Sequence, residues 1–144
     1  ILTLPPYQRR GYGNLLISMS YELSKREGKF GTPERPLSDL GQVSYRSFWC
    51  RVLLQTLHQH KASLSLKDLS AKTGFREYDI SSALTSLNLL KYWKGQHIVS
   101  ATPKIVEDHM KSFSSNSKLF SVNPEWMRWE PVPVPAPAGD RRKR

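Results

Sequence analysis

The sequence predicts an α+β fold from three observations. An apolar run, Ile1-Leu2-Thr3-Leu4, leads through a glycine-containing loop into an amphipathic segment. A long apolar helix pattern ends near His60. Two further helix patterns then flank Gly74 and lead to two short β-type runs around Lys94-Gly95. Strand patterns at two places among helices give the class.

Ile1 to Leu4 reads as a buried strand, stopped by Pro5-Pro6, neither of which can donate to a sheet. Tyr12, Leu15, Leu16, Met19 and Leu23 then fall at i, i+3, i+4, i+7 and i+11, one face of a helix. Lys25 and Arg26 suit its C-terminal dipole, Glu22 is spaced to pair with Arg26, and Gly28 supplies a stop. Gly31 to Gly41 reads as a loop in which Ser38 caps the following helix. That helix carries Val43, Cys50, Leu53, Leu54 and Leu57 in one stripe, widened by Phe48, Trp49 and Val52. Apolar nearly all round, it is expected between two layers.

Ser65-Leu-Lys-Asp68 has the shape of a capping box and opens a short helix through Thr73, stopped by Gly74. A second helix is expected from about Glu77 to Leu90, with Ile80, Ala83, Leu84, Leu87 and Leu90 inward. Lys91 to Val99 reads as two strands turning at Lys94-Gly95. Helix, glycine turn, helix and hairpin make a winged helix-turn-helix. Residues 103 to 112 predict one more helix, with Ile105, Val106 and His109 or Met110 inward. Ser112 to Ser121 reads as a loose serine-rich stretch, and Trp126 and Trp129 as anchors for the last segment. Pro131 to Pro137 predicts an extended linker before the basic end Arg141–Arg144. The expected division is 1–60, 61–130 and 131–144.

The 144 residues include 22 Lys+Arg against 12 Asp+Glu, a net charge of +10. That balance favours acidic partners, nucleic acid or nucleosomes, though a solvated basic surface has the same composition. A single cysteine, Cys50, excludes an internal disulfide; its apolar neighbours predict packing rather than chemistry. His58, His60, His97 and His109 lack partners at metal-ligand spacing. No apolar run reaches transmembrane length, and no secretory signal opens the chain.

The stretch Gln8-Arg9-Arg10-Gly11-Tyr12-Gly13 carries the chemistry. Between a strand and a helix, consecutive backbone N–H groups converge on a phosphate, glycines allow close approach, and Arg9 and Arg10 add charge. The loop lacks the Lys-Ser/Thr ending of a nucleotide triphosphatase, and it is one residue short of the dinucleotide pattern. A Gln/Arg-x-x-Gly-x-Gly loop after a strand is instead the acetyl-coenzyme A signature of GNAT-type acyltransferases. An ordinary tight strand-to-helix turn gives the same local pattern.

The segments Ile1 to Gly13, Ser20-Tyr-Glu-Leu-Ser-Lys25, Gly31-Thr-Pro-Glu-Arg-Pro-Leu-Ser-Asp-Leu-Gly41 and Ser44-Tyr-Arg-Ser-Phe-Trp49 closely resemble the MYST family of histone acetyltransferases. Lys91-Tyr-Trp-Lys-Gly-Gln-His97 and Thr102-Pro-Lys-Ile-Val-Glu-Asp-His109 look most like its males-absent-on-the-first branch. The resemblance extends to about Trp129. It implies the C-terminal part of a GNAT-like acyl-CoA N-acyltransferase core, followed by the winged helix-turn-helix. It implies transfer of an acetyl group from acetyl-CoA to a lysine ε-amine on histone tails, in the nucleus, with a role in chromatin and transcription.

Carried onto this sequence, the resemblance assigns the cosubstrate site to Ile1, Leu2, Thr3, Gln8, Arg9, Arg10, Gly11, Tyr12, Gly13, Asn14, Ser38 and Ser47. Ile1 to Thr3 would lie along the pantetheine arm through their backbone, and Asn14 stands where the family often has Lys. Nucleosomes, other subunits of an acetyltransferase complex and nonspecific DNA contact are the implied partners, with no membrane. The family also implies zinc, an active-site cysteine just before Ile1 and an autoacetylated lysine upstream, all outside this chain. The chain opens without Met inside a buried-type pattern, so it is expected to be the C-terminal part of a larger enzyme and inactive alone.

Acetyl transfer needs a neutral amine, while free lysine titrates near pH 10.4. A positioned carboxylate can take that proton, and the resemblance gives the role to Glu34. Pro33, Pro36 and Leu37 would stiffen its setting and raise its pKa, whereas the nearby helix N-terminus would lower it. Periodicity alone makes Glu34 an exposed loop residue. The winged pattern invites a DNA-reading alternative, but Arg76-Glu77-Tyr78-Asp79 would bring two acids to phosphates. Lys91, Lys94 and His97 would touch backbone without sequence preference. A scaffold without catalysis is a third reading, in which the glycine loop is incidental.

Overall fold

The computed structural model of the protein describes residues 1–60, 64–114 and 120–132. After a single 3₁₀ turn at Pro5–Tyr7 come α1 (Tyr12–Arg26), α2 (Asp39–Gln59), α3 (Leu66–Thr73) and α4 (Glu77–Ser86). The antiparallel strands β1 (Leu90–Trp93) and β2 (Gln96–Val99), α5 (Pro103–Ser114) and a 3₁₀ turn at Pro124–Trp126 complete the order.

Burial of α2 organises the rest. Phe48, Trp49, Cys50, Leu53, Leu54 and Leu57 are buried, and α1, α3, α4 and α5 all pack on this helix. One apolar cluster therefore runs from Ile17 through α2 to Val106. Val43, expected in the stripe, is 64% exposed; it lies near the N-terminal end of α2, where Leu40 is exposed as well. Ser38 caps α2 as expected, accepting from the Gly41 N–H at 3.1 Å.

Two N-terminal expectations are corrected. Ile1 to Leu4 form no strand, and Ile1, Leu2 and Leu4 are exposed. Among the described residues no strand lies beside them to take their backbone hydrogen bonds, and a strand without a partner has nothing to form against. In α1 the buried residues are Ile17, Ser18 and Tyr21, while Tyr12, Leu16 and Met19 of the predicted stripe stay exposed. An aromatic contact overrides the aliphatic stripe. The Tyr21 ring lies 5.6 Å from Phe48 and 4.5 Å from Phe75, and its hydroxyl accepts from the Trp49 indole N–H at 2.7 Å.

The capping box of α3 forms in both directions between Ser65 and Asp68, and Gly74 closes the helix at φ 75°. Such a left-handed residue suits glycine. Helix α4 ends at Ser86, four residues before the expected Leu90. Asn88 takes a left-handed conformation (φ 56°), and the Leu89 N–H bonds back to the Leu84 carbonyl, so the chain turns early and buries Leu89. The β1–β2 register pairs Leu90 with Val99 and Trp93 with Gln96. Lys94 and Gly95 both have positive φ, the conformation of a two-residue type I′ turn.

In α5 Val106 is buried and Met110 and Phe113 pack on the core, whereas Ile105 is exposed, against expectation. A 12-residue helix lying on one groove can bury only one side. Of the two tryptophans expected to anchor the last segment, Trp126 is 80% exposed and Trp129 is half-buried, and polar contacts hold the segment. Asn14 Nδ2 donates to the Phe120 carbonyl at 2.6 Å and the Val122 N–H to Ser18 Oγ at 3.0 Å. The Arg26 guanidinium donates to the Trp129 and Pro124 carbonyls at 3.0 and 2.9 Å. Arg26 is thus unavailable to Glu22, which pairs with Lys25 at 2.6 Å. Half of the serine-rich stretch, residues 115–119, and residues 133–144 of the proline-rich linker and basic end lie outside the described residues.

Burial pushes the Tyr21 phenol well above its ordinary value, against the opposing bond from Trp49; the charge of Asp79 adds to the rise. A raised value keeps the folded state protonated while the unfolded state ionises above about pH 10. Tyr21 therefore stabilises the fold fully below about pH 10 and progressively less above it. Tyr21→Phe should lower stability at pH 8 by about 1–3 kcal/mol, because the indole N–H loses its acceptor. The gap from wild type should narrow as denaturation midpoints are measured from pH 8 towards pH 11; a constant gap would refute the titration argument.

Candidate functional site

The N-terminal loop keeps the features of an anion cradle without the strand. Gln8 Nε2 donates to the Thr3 carbonyl at 3.0 Å, folding the chain back on itself. Arg9 has φ 59° and Gly11 φ 90°, so the approach to α1 runs through two left-handed residues. Gly11 is the N-cap of α1, no side chain caps the helix, and no acidic residue stands in its first turn. Its first N–H groups are therefore left for another acceptor, with the positive end of the dipole behind them. A Cβ built on Gly13 meets nothing within 4 Å, so the surface there is open.

Arg9, Arg10 and Tyr12 are exposed around this end, Tyr12 stacking on Phe120 with centroids 6.2 Å apart. Asn14 is the exception among the predicted contacts. Its side chain is engaged internally, donating to Phe120 and accepting from Arg51, so only its backbone faces the helix end. Ile1 and Leu2 are exposed and Thr3 half-buried. Ser38 is committed as a cap, and Ser47 is exposed about 13 Å further along α2 at 1.5 Å per residue.

Glu34 lies in a loop held at three points. The Gly31 N–H donates to the Gly74 carbonyl at 2.7 Å, within a parallel bridge to Phe75. Arg35 Nη2 donates to Asp79 Oδ1 at 2.8 Å, and Ser38 caps α2. Asp79 is fully buried, while Arg35 is half-exposed and also lies over the Tyr78 ring at 4.9 Å. Glu34 itself is exposed, and among the described residues no partner occupies its carboxylate.

This geometry corrects one step of the DNA argument. Of the two acids expected on the outer turn of α4, only Glu77 is exposed; Asp79 points inward to Arg35. Sequence reasoning singled out neither Gly31 nor Arg35 as a functional position. A signal existed for Arg35, a cation beside the candidate base, but its partner is 44 residues away.

Cys50 is buried beside the Ala83 carbonyl and Ser86, and burial raises its thiol pKa, so it is kept unreactive. Among the described residues no cluster of three or more His, Cys, Asp or Glu could hold a metal ion, so zinc has no fit here. Among the described residues no helix is long and apolar enough to cross a membrane. A groove of about 410 Å³ between α1, α2 and α5 includes neither the glycine loop nor Glu34 in its lining. The β1–β2 hairpin exposes Tyr92 and Trp93 beside Lys91, Lys94 and His97.

Residues 1–127 match the MOZ/SAS family. The chain is 54% identical over 131 residues to histone acetyltransferase of the MYST family 1 from Arabidopsis thaliana, covering 91% of this chain and 29% of that protein. It is 46% identical over 135 residues to histone acetyltransferase KAT6A from Homo sapiens, covering 93% of this chain and 7% of that protein. Over 133 residues it is 42% identical to histone acetyltransferase MOF from Drosophila melanogaster, covering 91% and 16% respectively. The chain thus spans less than a third of the length of these relatives.

A Cβ on Gly31 would fall 2.9 Å from Tyr21 Cε1 and 3.0 Å from Ser24 Oγ, closer than atoms tolerate. Gly31→Ala should therefore push the loop off its bridge to Phe75 and destabilise the full-length protein by about 1–3 kcal/mol, the range for overpacking. Thermal melts of wild type and variant test this, and an unchanged midpoint would contradict the close approach.

Proposed function

The chain belongs to the MOZ/SAS family, and from that premise we propose that it forms the C-terminal part of the catalytic domain of a histone lysine acetyltransferase. The observation that carries this reading is the uncapped N-terminus of α1, with Gly13 open to solvent and Arg9 and Arg10 beside it. Such an end suits the pyrophosphate of acetyl-CoA, the cosubstrate the family implies. Ile1 to Thr3, with backbone groups not taken up by a sheet, would pair with the pantetheine arm as an added strand would. Gln8, Gly11, Tyr12 and the Asn14 backbone complete the cradle, with Ser38 and Ser47 as further contacts.

In this reading Glu34 is the general base. Its carboxylate takes a proton from the lysine ε-ammonium, and the freed amine nitrogen attacks the thioester carbonyl of acetyl-CoA. The C–N bond forms, the C–S bond breaks, and the leaving coenzyme A thiolate takes up the second proton, which the acylated nitrogen gives up as it becomes the amide. An exposed carboxylate without an internal partner is free to meet an incoming lysine, and the triply held loop supports a fixed approach.

The finer architecture belongs to the same proposal. Residues 1–60 complete a GNAT-like core, 61–130 form a winged helix-turn-helix, and 131–144 a linker and basic tail. The exposed cations and aromatics of the β1–β2 hairpin support sequence-independent contact with DNA backbone on a nucleosome. Histone tails as substrate, companion subunits and a nuclear location belong to the same proposal, which the relatives named as histone acetyltransferases support. Zinc, which the family implies, would be held outside this chain.

Two experiments on the full-length protein test the site. Gly13→Val adds bulk where the protein itself offers no clash, so any loss must come from the ligand. Acetyl-CoA affinity by calorimetry should weaken at least about tenfold, near 1.4 kcal/mol, with an unchanged melting temperature. Equal affinity would remove the cradle from the site.

Glu34→Gln keeps size but cannot accept a proton. Turnover at neutral pH should fall about 10²- to 10⁴-fold, the usual share of general base catalysis. Part should return at high pH, where more lysine is already neutral, while acetyl-CoA affinity holds. Near-normal turnover with chemistry rate-limiting would move the base elsewhere.

A further inference from the structure

We propose that Arg35 is a positioning residue that fixes Glu34 by tying the middle of its loop to the buried Asp79 of α4. The proposal rests on the reading of Glu34 as the general base. Between the anchors at Gly31 and Ser38 lie six residues, enough to let a mid-loop side chain wander by several ångströms. The Arg35–Asp79 contact divides that span, leaving Glu34 in a three-residue stretch next to the tether.

The anchor is buried. Asp79 sits in the first turn of α4, where Ile80, Ala83 and Leu84 are all fully buried, and its N–H donates to the Arg76 carbonyl. Its carboxylate is wholly buried, and Oδ2 has no hydrogen-bond partner among the described residues. Arg35 is thus what compensates a charge that is costly to leave alone inside a protein. Stacking over Tyr78 adds a second restraint on the guanidinium. The buried carboxylate pulls Arg35 down, and the adjacent Glu34 remains at the surface. Helix α4 is thereby tied to the residue next to Glu34 through an ion pair, beside the backbone bridge at Gly31.

A cycle of variants in the full-length protein separates positioning from mere stability. Single-turnover acetylation of a histone-tail peptide should slow about ten- to a hundredfold in Arg35→Ala, the scale of a misplacement near 1 Å. Acetyl-CoA affinity should stay within about twofold. In the Glu34→Gln background the same substitution should change the residual rate less than about twofold, because the group it positions is gone. Arg35→Lys, which keeps the charge but not the fork, should recover part of the rate. If the orphaned carboxylate unfolds Arg35→Ala, Arg35→Ala with Asp79→Asn removes that charge, and the same slowing is expected.

If Glu34→Gln alone is nearly as fast as wild type, the base assignment falls and the role of Arg35 falls with it. If Glu34→Gln is slow but Arg35→Ala costs the same factor in both backgrounds, or costs nothing, the base assignment stands and the positioning role is overturned.

Discussion

Phe75 is the residue on which both halves of the chain meet. Its ring lies against Tyr21 of α1 and Phe48 of α2, with centroids 4.5 and 5.9 Å away. Its backbone bridges Gly31, and its carbonyl accepts from Ser70 Oγ of α3 at 2.6 Å. A single buried aromatic thus sets the spacing of three helices and the start of the loop that carries Glu34. Gly74, immediately before it, supplies the left-handed turn that points Phe75 inward. Loss of that packing would move the loop and the core together, so the candidate site and the fold are mechanically one object.

The helices and their ends were legible where the cause is local. Ser38, the Ser65–Asp68 box, Gly74 and the Lys94-Gly95 turn act through hydrogen bonds or φ values a few residues away, so residue type and spacing reveal them. The apolar pattern of α2 was legible from Phe48 to Leu57, whereas Leu40 and Val43 stay exposed and the helix is not buried all round. The inner face of α1 was not. Its aliphatic stripe is the better periodic pattern, but Tyr21 wins through Phe48, Phe75 and Trp49, partners that lie 27 to 54 residues away. The early end of α4 was hidden for a different reason: Asn88 tolerates a left-handed turn, a choice its neighbours do not announce.

The candidate site divides the same way. The glycine loop could be read from its order of residues, and the structure shows an uncapped helix end with open space at Gly13. Glu34 came from a motif rather than from periodicity, and its exposure accords with both readings of it. The Arg35–Asp79 pair could not be inferred, since a helix-start Asp is normally a favourable charge at the dipole rather than a buried partner. Nothing in the alternation of α4 distinguishes an acid facing solvent from one facing a distant loop.

Net charge, finally, says less about partners than its size implies. The +10 of the chain counts every cation alike, yet several are consumed by the fold. Arg35 neutralises a buried acid, Arg26 holds the last segment through two carbonyls, and Arg51 engages Asn14. Lys25 and Lys29 pair with neighbouring glutamates. The cations left at strategic places are Arg9 and Arg10, beside the open N–H groups of α1, and those of the β1–β2 hairpin. A guanidinium held by a buried carboxylate is a structural strut, whereas one exposed beside an uncapped helix end has no such internal role. Only the coordinates separate the two.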